Sequence, residues 1–149
     1  MALREIRKKG DEILTKVCKE VKSFDEKLAI LLDDMYDTMT NSEGVGLAAP
    51  QVGILKRAVI IDVGEGRIEL INPRIIAEEG TQNGSEGCLS VPGVYGEVER
   101  PYKVTAEAYD RNGKKFKVTG EGLLARAICH ELEHLDGKLF LERVTKFVD

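Results

Sequence analysis

The chain lacks any apolar run approaching the roughly 18 residues that a membrane-spanning helix needs. Its first residues, Met1-Ala2-Leu3-Arg4-Glu5, carry charge at once, where a targeting peptide would place an apolar core. Those two absences predict a cytoplasmic protein with no membrane partner. Basic stripes are missing too. The net charge is -4, and the pairs Lys8-Lys9 and Lys114-Lys115 are too short to be more than solvated surface, which argues against nucleic acid as a direct ligand. Cysteine is scarce and odd in number. Cys18, Cys88 and Cys129 are widely spaced, whereas a disulfide framework would use an even set. With no CxxC pair, a structural zinc knuckle is not expected either. Repeats, linkers and low-complexity tracts are also absent, so residues 1–149 read as a single domain, long enough to bury a core.

Histidine is rarer still, and its placement is informative. Both histidines fall in one pentapeptide, His130-Glu131-Leu132-Glu133-His134. Two histidines placed at random would land four apart roughly 1% of the time, and requiring Glu after the first cuts that about tenfold. On a helix, residues four apart lie one above the other, so two imidazoles there can grip one metal ion. Glu131 falls about a hundred degrees round the helix from His130, within reach of a water on that metal. The blander reading is a pair of exposed helix histidines.

Hydrophobic residues make up 42% of the chain and charged residues 32%, as in an ordinary globular protein. The N-terminal stretch reads as an extended or partly helical arm. Ser23-Phe24-Asp25-Glu26 has the pattern of a capping box, with Ser23 as cap. Behind it Leu28, Leu31, Leu32, Met35 and Met39 recur at helical spacing and predict a helix from about Asp25 to Thr40. Arg57 to Val63 is rich in β-branched residues, and Asn72-Pro73 signals a turn between short strands at Glu69 to Ile71 and Arg74 to Ala77. Tyr102 to Tyr109 and Lys115 to Thr119 read as a hairpin about Asp110-Arg111-Asn112-Gly113. Glu121 to Leu135 reads as a helix stopped by Gly137. The expected fold class is α+β: antiparallel β-sheets packed around a C-terminal metal-binding helix, with an N-terminal helix.

A catalytic site of this kind needs a third protein ligand and a position open to water. One class of helix-histidine proteases supplies a third His six residues after the second, but Phe140 holds that place here. Beyond His134 the late carboxylates are Glu142 and Asp149, on a tail too short to supply a second helix and return. The ligand should therefore lie upstream. Cys88, in Glu86-Gly87-Cys88-Leu89-Ser90, is the best candidate, because Gly87 allows close backbone approach. Cys18 lies among charges, and Cys129, next to His130 on the helix, should point elsewhere and pack. Cys88 could also be a small buried hydrophobe.

Three segments together resemble the peptide deformylase family, whose motifs run GxGxAAxQ, EGCLS and HExxH. This chain has Gly44-Val45-Gly46-Leu47-Ala48-Ala49-Pro50-Gln51, then Glu86-Gly87-Cys88-Leu89-Ser90, then His130-Glu131-Leu132-Glu133-His134. Ile71-Asn72-Pro73 and Gly137-Lys138-Leu139-Phe140 are family-like as well, so the likeness covers nearly the whole chain. The resemblance implies hydrolysis of the N-formyl group from N-formylmethionyl peptides, the nascent chains of bacteria, with release of formate. It implies that Cys88, His130 and His134 hold one divalent metal ion. Ferrous iron is the usual native metal, which zinc, nickel or cobalt can replace. A metal-bound water would attack the formyl carbon with Glu131 as general base and acid, while the Gln51 amide and the Leu89 backbone N–H stabilise the oxyanion. Gly44, Val45 and Gly46 would lie along an extended substrate, and Leu123 and Ala127, with Val45 and Leu89, would line a methionine pocket. A Glu86–Arg100 ion pair would brace the Cys88 segment.

Some positions depart from the family pattern. Glu133 stands where Asp is usual, Cys129 replaces a frequent Gln and could add an oxidation-sensitive thiol, and Lys9-Gly10-Asp11 lacks a common Pro. A short tail after Phe140 argues against docking on the ribosome through a long C-terminal helix, though transient association stays open. Two alternatives differ in class: a small HExxH metallopeptidase, which would cleave unblocked peptides, and a non-catalytic metal-binding module, in which Glu131 would be dispensable.

Overall fold

The leucine and methionine stripe forms helix α1, Glu26–Asn41, which buries Leu28, Leu31, Leu32, Met35 and Met39. The computed structural model describes residues 2–148; Met1 and the late carboxylate Asp149 lie outside the described residues. Asp25, not the expected Ser23, caps α1. Its carboxylate accepts the Leu28 backbone N–H at 3.1 Å, the third amide of the helix, which Ser23 stands too far upstream to serve. Asp25→Ala is therefore expected to cost about 1 kcal/mol, and Ser23→Ala nothing measurable, in thermal unfolding followed by circular dichroism.

Among the described residues the strands are β1 (Gly46–Ala48), β2 (Ala58–Ile61), β3 (Ile68–Glu79), β4 (Gln82–Cys88), β5 (Val91–Arg100), β6 (Lys103–Tyr109), β7 (Lys115–Glu121) and β8 (Val144–Val148). All pairings between them are antiparallel, in a five-stranded sheet ordered β1-β2-β3-β6-β7 and a three-stranded sheet ordered β4-β5-β8. The hairpin of β6 and β7 is the one the sequence predicts. Asn72-Pro73 makes no turn. β3 continues through it with a register shift between Ile71 and Arg74, and Asn72 takes the left-handed φ of 52°. The Asn72 amide then acts as a strand partner for the N-terminal arm, accepting the Val21 N–H and donating to the Val21 carbonyl.

The second helix, α2, spans Leu123–Leu135. Its start is two residues later than the periodicity suggests, because Glu121 still pairs with Lys103 in the sheet. Its end follows the sequence. Gly137 adopts φ 76°, its N–H bonds to the His134 carbonyl, and the Lys138 N–H bonds to the Glu133 carbonyl, closing the last turn. No helix among the described residues is long and apolar enough to cross a membrane.

The five-stranded sheet is buried on both faces at β2. Along β2, Val59 and Ile61 face the cluster that holds Ile128, Leu132 and Leu135 of α2, while Ala58 and Ile60 face the cluster that holds Leu32, Met35 and Met39 of α1. That two-sided burial explains why β2 reads as an unbroken apolar run. A smaller cluster of Val91, Val98 and Phe140 ties the three-stranded sheet to the turn after α2. Helix α2 thus sits where both sheets can reach it, and β4 ends beside it.

Candidate metal centre

His130 and His134 project from one face of α2, with ring centroids 5.1 Å apart and both side chains buried. Cys88, the last residue of β4, brings its sulfur to 3.4 Å from His134 Nε2. One donor atom from each of the three residues lies within 4.8 Å of the others. With metal–sulfur and metal–nitrogen bonds of about 2.3 and 2.0–2.1 Å, a tetrahedral S···N edge measures roughly 3.5 Å, so the donor set fits a transition-metal ion. Cys88, the upstream candidate expected from the sequence, stands beside the histidine pair, at the end of a strand that the sequence did not reveal.

The neighbours of these donors prepare them for a cation. Glu86, two residues before Cys88 on the same strand, contacts His130 Nδ1 through Oε1 at 2.9 Å. That carboxylate fixes the proton on Nδ1 and leaves the Nε2 lone pair for a metal. Arg100 grips Glu86 with two bonds, Nε to Oε2 at 2.8 Å and Nη2 to Oε1 at 3.0 Å, so the family-like ion pair is present. Burial opposes ionisation of Glu86, but its bonds to Arg100 and His130 outweigh burial and hold its pKa down at about 2. Burial likewise opposes charge on His130, yet Glu131, Cys88 and Glu86 carry its pKa up to about 10. The negative potential responsible is the one a divalent cation would meet. Burial, with His130 and Arg100 adding to it, lowers the His134 pKa well below the usual imidazole range, which suits a neutral ligand.

Glu131 is buried, with Oε2 4.0 Å from His130 Nε2 and Oε1 without a partner among the described residues. Burial raises its pKa to about 7 against the pull of His130. A carboxylate poised near neutrality can both take and return a proton. Its side chain lies against Gly46, where a Cβ would come within 2.5 Å of Glu131 Oε2. The Gln51 amide is fixed at both ends. Its Oε1 accepts the Ala48 N–H at 2.9 Å, and Nε2 donates to Ser90 Oγ at 3.1 Å while lying 3.5 Å from Cys88 Sγ. Leu89 occupies the turn between β4 and β5. These groups open on a cavity of about 400 Å³, and Gly44, Val45, Gly46, Leu89, Leu123 and Ala127 all line it, as do Gln51, Cys88, His130 and Glu131.

Other expectations need adjustment. Cys129 does pack as expected, in the main core, but burial raises its pKa to about 11, which removes the thiolate that an oxidation-sensitive group requires. Cys18 is also a core residue, with its pKa pushed up to about 11 by burial. The tail after Phe140 is not a bare end, since Val144–Val148 pairs with β5. Glu133 uses its longer reach to bond Arg100 and Arg143. Sequence reasoning missed the Glu86–His130 contact and Arg126, which also bonds Glu86. Position alone could have flagged Arg126, because it stands four residues before His130 and so shares its helical face.

Comparison with known proteins shows the family. The family model described as polypeptide deformylase matches residues 3–148. A peptide deformylase of Caldicellulosiruptor bescii is 62% identical over 148 residues, covering 99% of this chain and 89% of the relative. One from Acetivibrio thermocellus is 59% identical over 149 residues, covering 100% of this chain and 88% of the relative. Among solved structures, the peptide deformylase of Thermotoga maritima superposes with a TM-score of 0.94 at 40% identity, covering 96% of this chain and 98% of that one. The peptide deformylase of Synechococcus elongatus, crystallised in complex with actinonin, gives 0.93 at 42% identity, covering 96% and 79%.

Proposed function

The chain belongs to the polypeptide deformylase family and is an enzyme that removes the formyl group from N-formylmethionyl peptides; from that premise we propose which of its residues do so. Cys88, His130 and His134 would hold one divalent ion, and ferrous iron is the resident metal we assign, with zinc, nickel or cobalt as substitutes. Such an ion supplies Lewis acidity, polarising the formyl carbonyl and making hydroxide available near neutral pH. The observation that carries this reading is the convergence of one sulfur and two ring nitrogens beside a buried carboxylate, one oxygen of which has no partner among the described residues.

Glu131 takes a proton from the attacking water and delivers it to the departing amine. The Gln51 Nε2, aimed by the Ala48 N–H on its carbonyl end, donates to the developing oxyanion, and the Leu89 backbone N–H is the second donor. A single donor of this kind is typically worth about 2.7–4 kcal/mol of barrier. Gly44, Val45 and Gly46 lie along the extended substrate, and Val45, Leu89, Leu123 and Ala127 take its methionine side chain. We read residues 1–149 as one catalytic domain. Its substrates are newly made polypeptides, so we assign its work to the cytoplasm, with transient association at the ribosome.

Anaerobic purification, elemental analysis and a formate assay test this assignment together. The iron-loaded enzyme is expected to contain one metal per chain and to release formate from N-formylmethionyl peptides, while leaving the internal bonds of unblocked peptides intact. Absence of formate from intact, iron-loaded enzyme would defeat the assignment.

A further inference from the structure

The proposed ligands come from two elements, Cys88 from β4 and the two histidines from α2, so the spacing of strand and helix sets the geometry of the centre. Arg126 spans that gap. It rises from α2 one turn before His130, and its Nη1 donates to Glu86 Oε2 at 2.6 Å and to the Val98 carbonyl at 3.0 Å. Glu86 in turn meets His130 Nδ1 through its other oxygen. One carboxylate on β4 is therefore clasped by two residues of α2 that stand four apart, and it lies two positions from the sulfur ligand. Both partners are buried, with side-chain exposures of 7% for Arg126 and 4% for Glu86.

Gly84 makes the room. It shares the inward face of β4 with Glu86, and a Cβ there would stand 3.0 Å from Arg126 Nη2 and 3.3 Å from its guanidinium carbon. Arg100 cannot replace this clasp. It belongs to β5, the neighbour of β4, and its own reach to α2 goes to Glu133, three residues beyond His130.

We propose that Arg126 is a positioning residue: by fixing Glu86 from within α2, it sets the orientation of the His130 imidazole and the approach of Cys88 to the histidine pair. This rests on the ligand assignment above. A long, neutral side chain at position 126 would leave Glu86 Oε2 held by Arg100 of the sheet alone, and the carboxylate freer to turn against the His130 ring it orients. Contacts that orient metal-binding histidines typically account for 10–100-fold in affinity.

The test uses full-length apoprotein titrated with cobalt(II), with affinity from chelator competition and geometry from the visible absorption bands. Arg126→Met is expected to weaken cobalt affinity by about tenfold and to alter the bands, with far-ultraviolet dichroism unchanged. Gly84→Ala keeps the charge and displaces the guanidinium, so it should shift affinity and spectrum in the same direction; it decides the question if Arg126→Met does not fold. Arg126→Lys, able to reach one acceptor, should fall between parent and Arg126→Met. A lower melting temperature with affinity within about twofold of the parent and an unchanged spectrum would make Arg126 merely structural and overturn the proposal, as would tighter binding. His130→Ala separates the two levels. It must abolish tight cobalt binding, and if it does not, the ligand assignment itself fails.

Discussion

Glu131→Gln is expected to lower turnover on N-formylmethionyl peptides by about 10²–10⁴-fold while the protein keeps its fold and its metal. The substitution preserves shape in a place where shape is critical, since the side chain is buried against Gly46, with no room for a Cβ between them. It removes only the capacity to accept a proton. Because Oε1 has no partner among the described residues, no hydrogen bond within the chain is lost, and stability should not fall. The loss should therefore appear in kcat, with KM and metal content near those of the parent, measured by formate release and elemental analysis. A variant that bound metal and kept parental turnover would favour a centre whose metal only holds the fold.

What the sequence makes legible follows from what a residue's neighbours along the chain can specify. The stripe of α1 and the histidine pair of α2 are local patterns, repeating every three or four residues, and both helices lie within two residues of where periodicity puts them. The hairpin of β6 and β7 is local too, with a turn of Asp110 to Gly113 between alternating runs. By contrast β4, with the sequence Gln-Asn-Gly-Ser-Glu-Gly-Cys, has neither apolar alternation nor β-branched residues. It is a strand because β5 pairs with it, and its glycines are there for what lies over them, Arg126 at Gly84 and the Tyr95 ring at Gly87. Strand propensity measures fit to a half-buried apolar surface, and β4 is shaped by a buried charge cluster instead. The same reason hid the partners of Glu86, since His130 and Arg126 stand 44 and 40 residues away in sequence. The histidine pair stood out from type and spacing and Cys88 as a candidate beside it, whereas the charges around the three proposed ligands needed the fold.

The second large effect is expected at Arg100. Arg100→Met should destabilise the protein by about 3–5 kcal/mol, because removing one partner of a buried ion pair strands the other. Arg100 is 3% exposed and satisfies two carboxylates at once, Glu86 through Nε and Nη2 and Glu133 through Nη1. Arg126 and His130 would still hold Glu86, so the cost should lie toward the lower end, or roughly 6–12 °C in melting temperature for a chain of this size. The pH dependence carries an independent signature. Glu86 has its folded pKa depressed from 4.5 to about 2, so its contribution to stability is complete above about pH 4.5 and is lost as pH falls toward 2. Without Arg100 the folded pKa moves back up, and acid unfolding should begin at higher pH than in the parent, seen by dichroism at fixed temperature. Metal affinity should weaken as well, because the carboxylate orienting His130 loses its firmest anchor. Parental stability and an unshifted acid limb would mean that Arg126 and His130 suffice to hold Glu86, and the weight given to Arg100 would move to the helix.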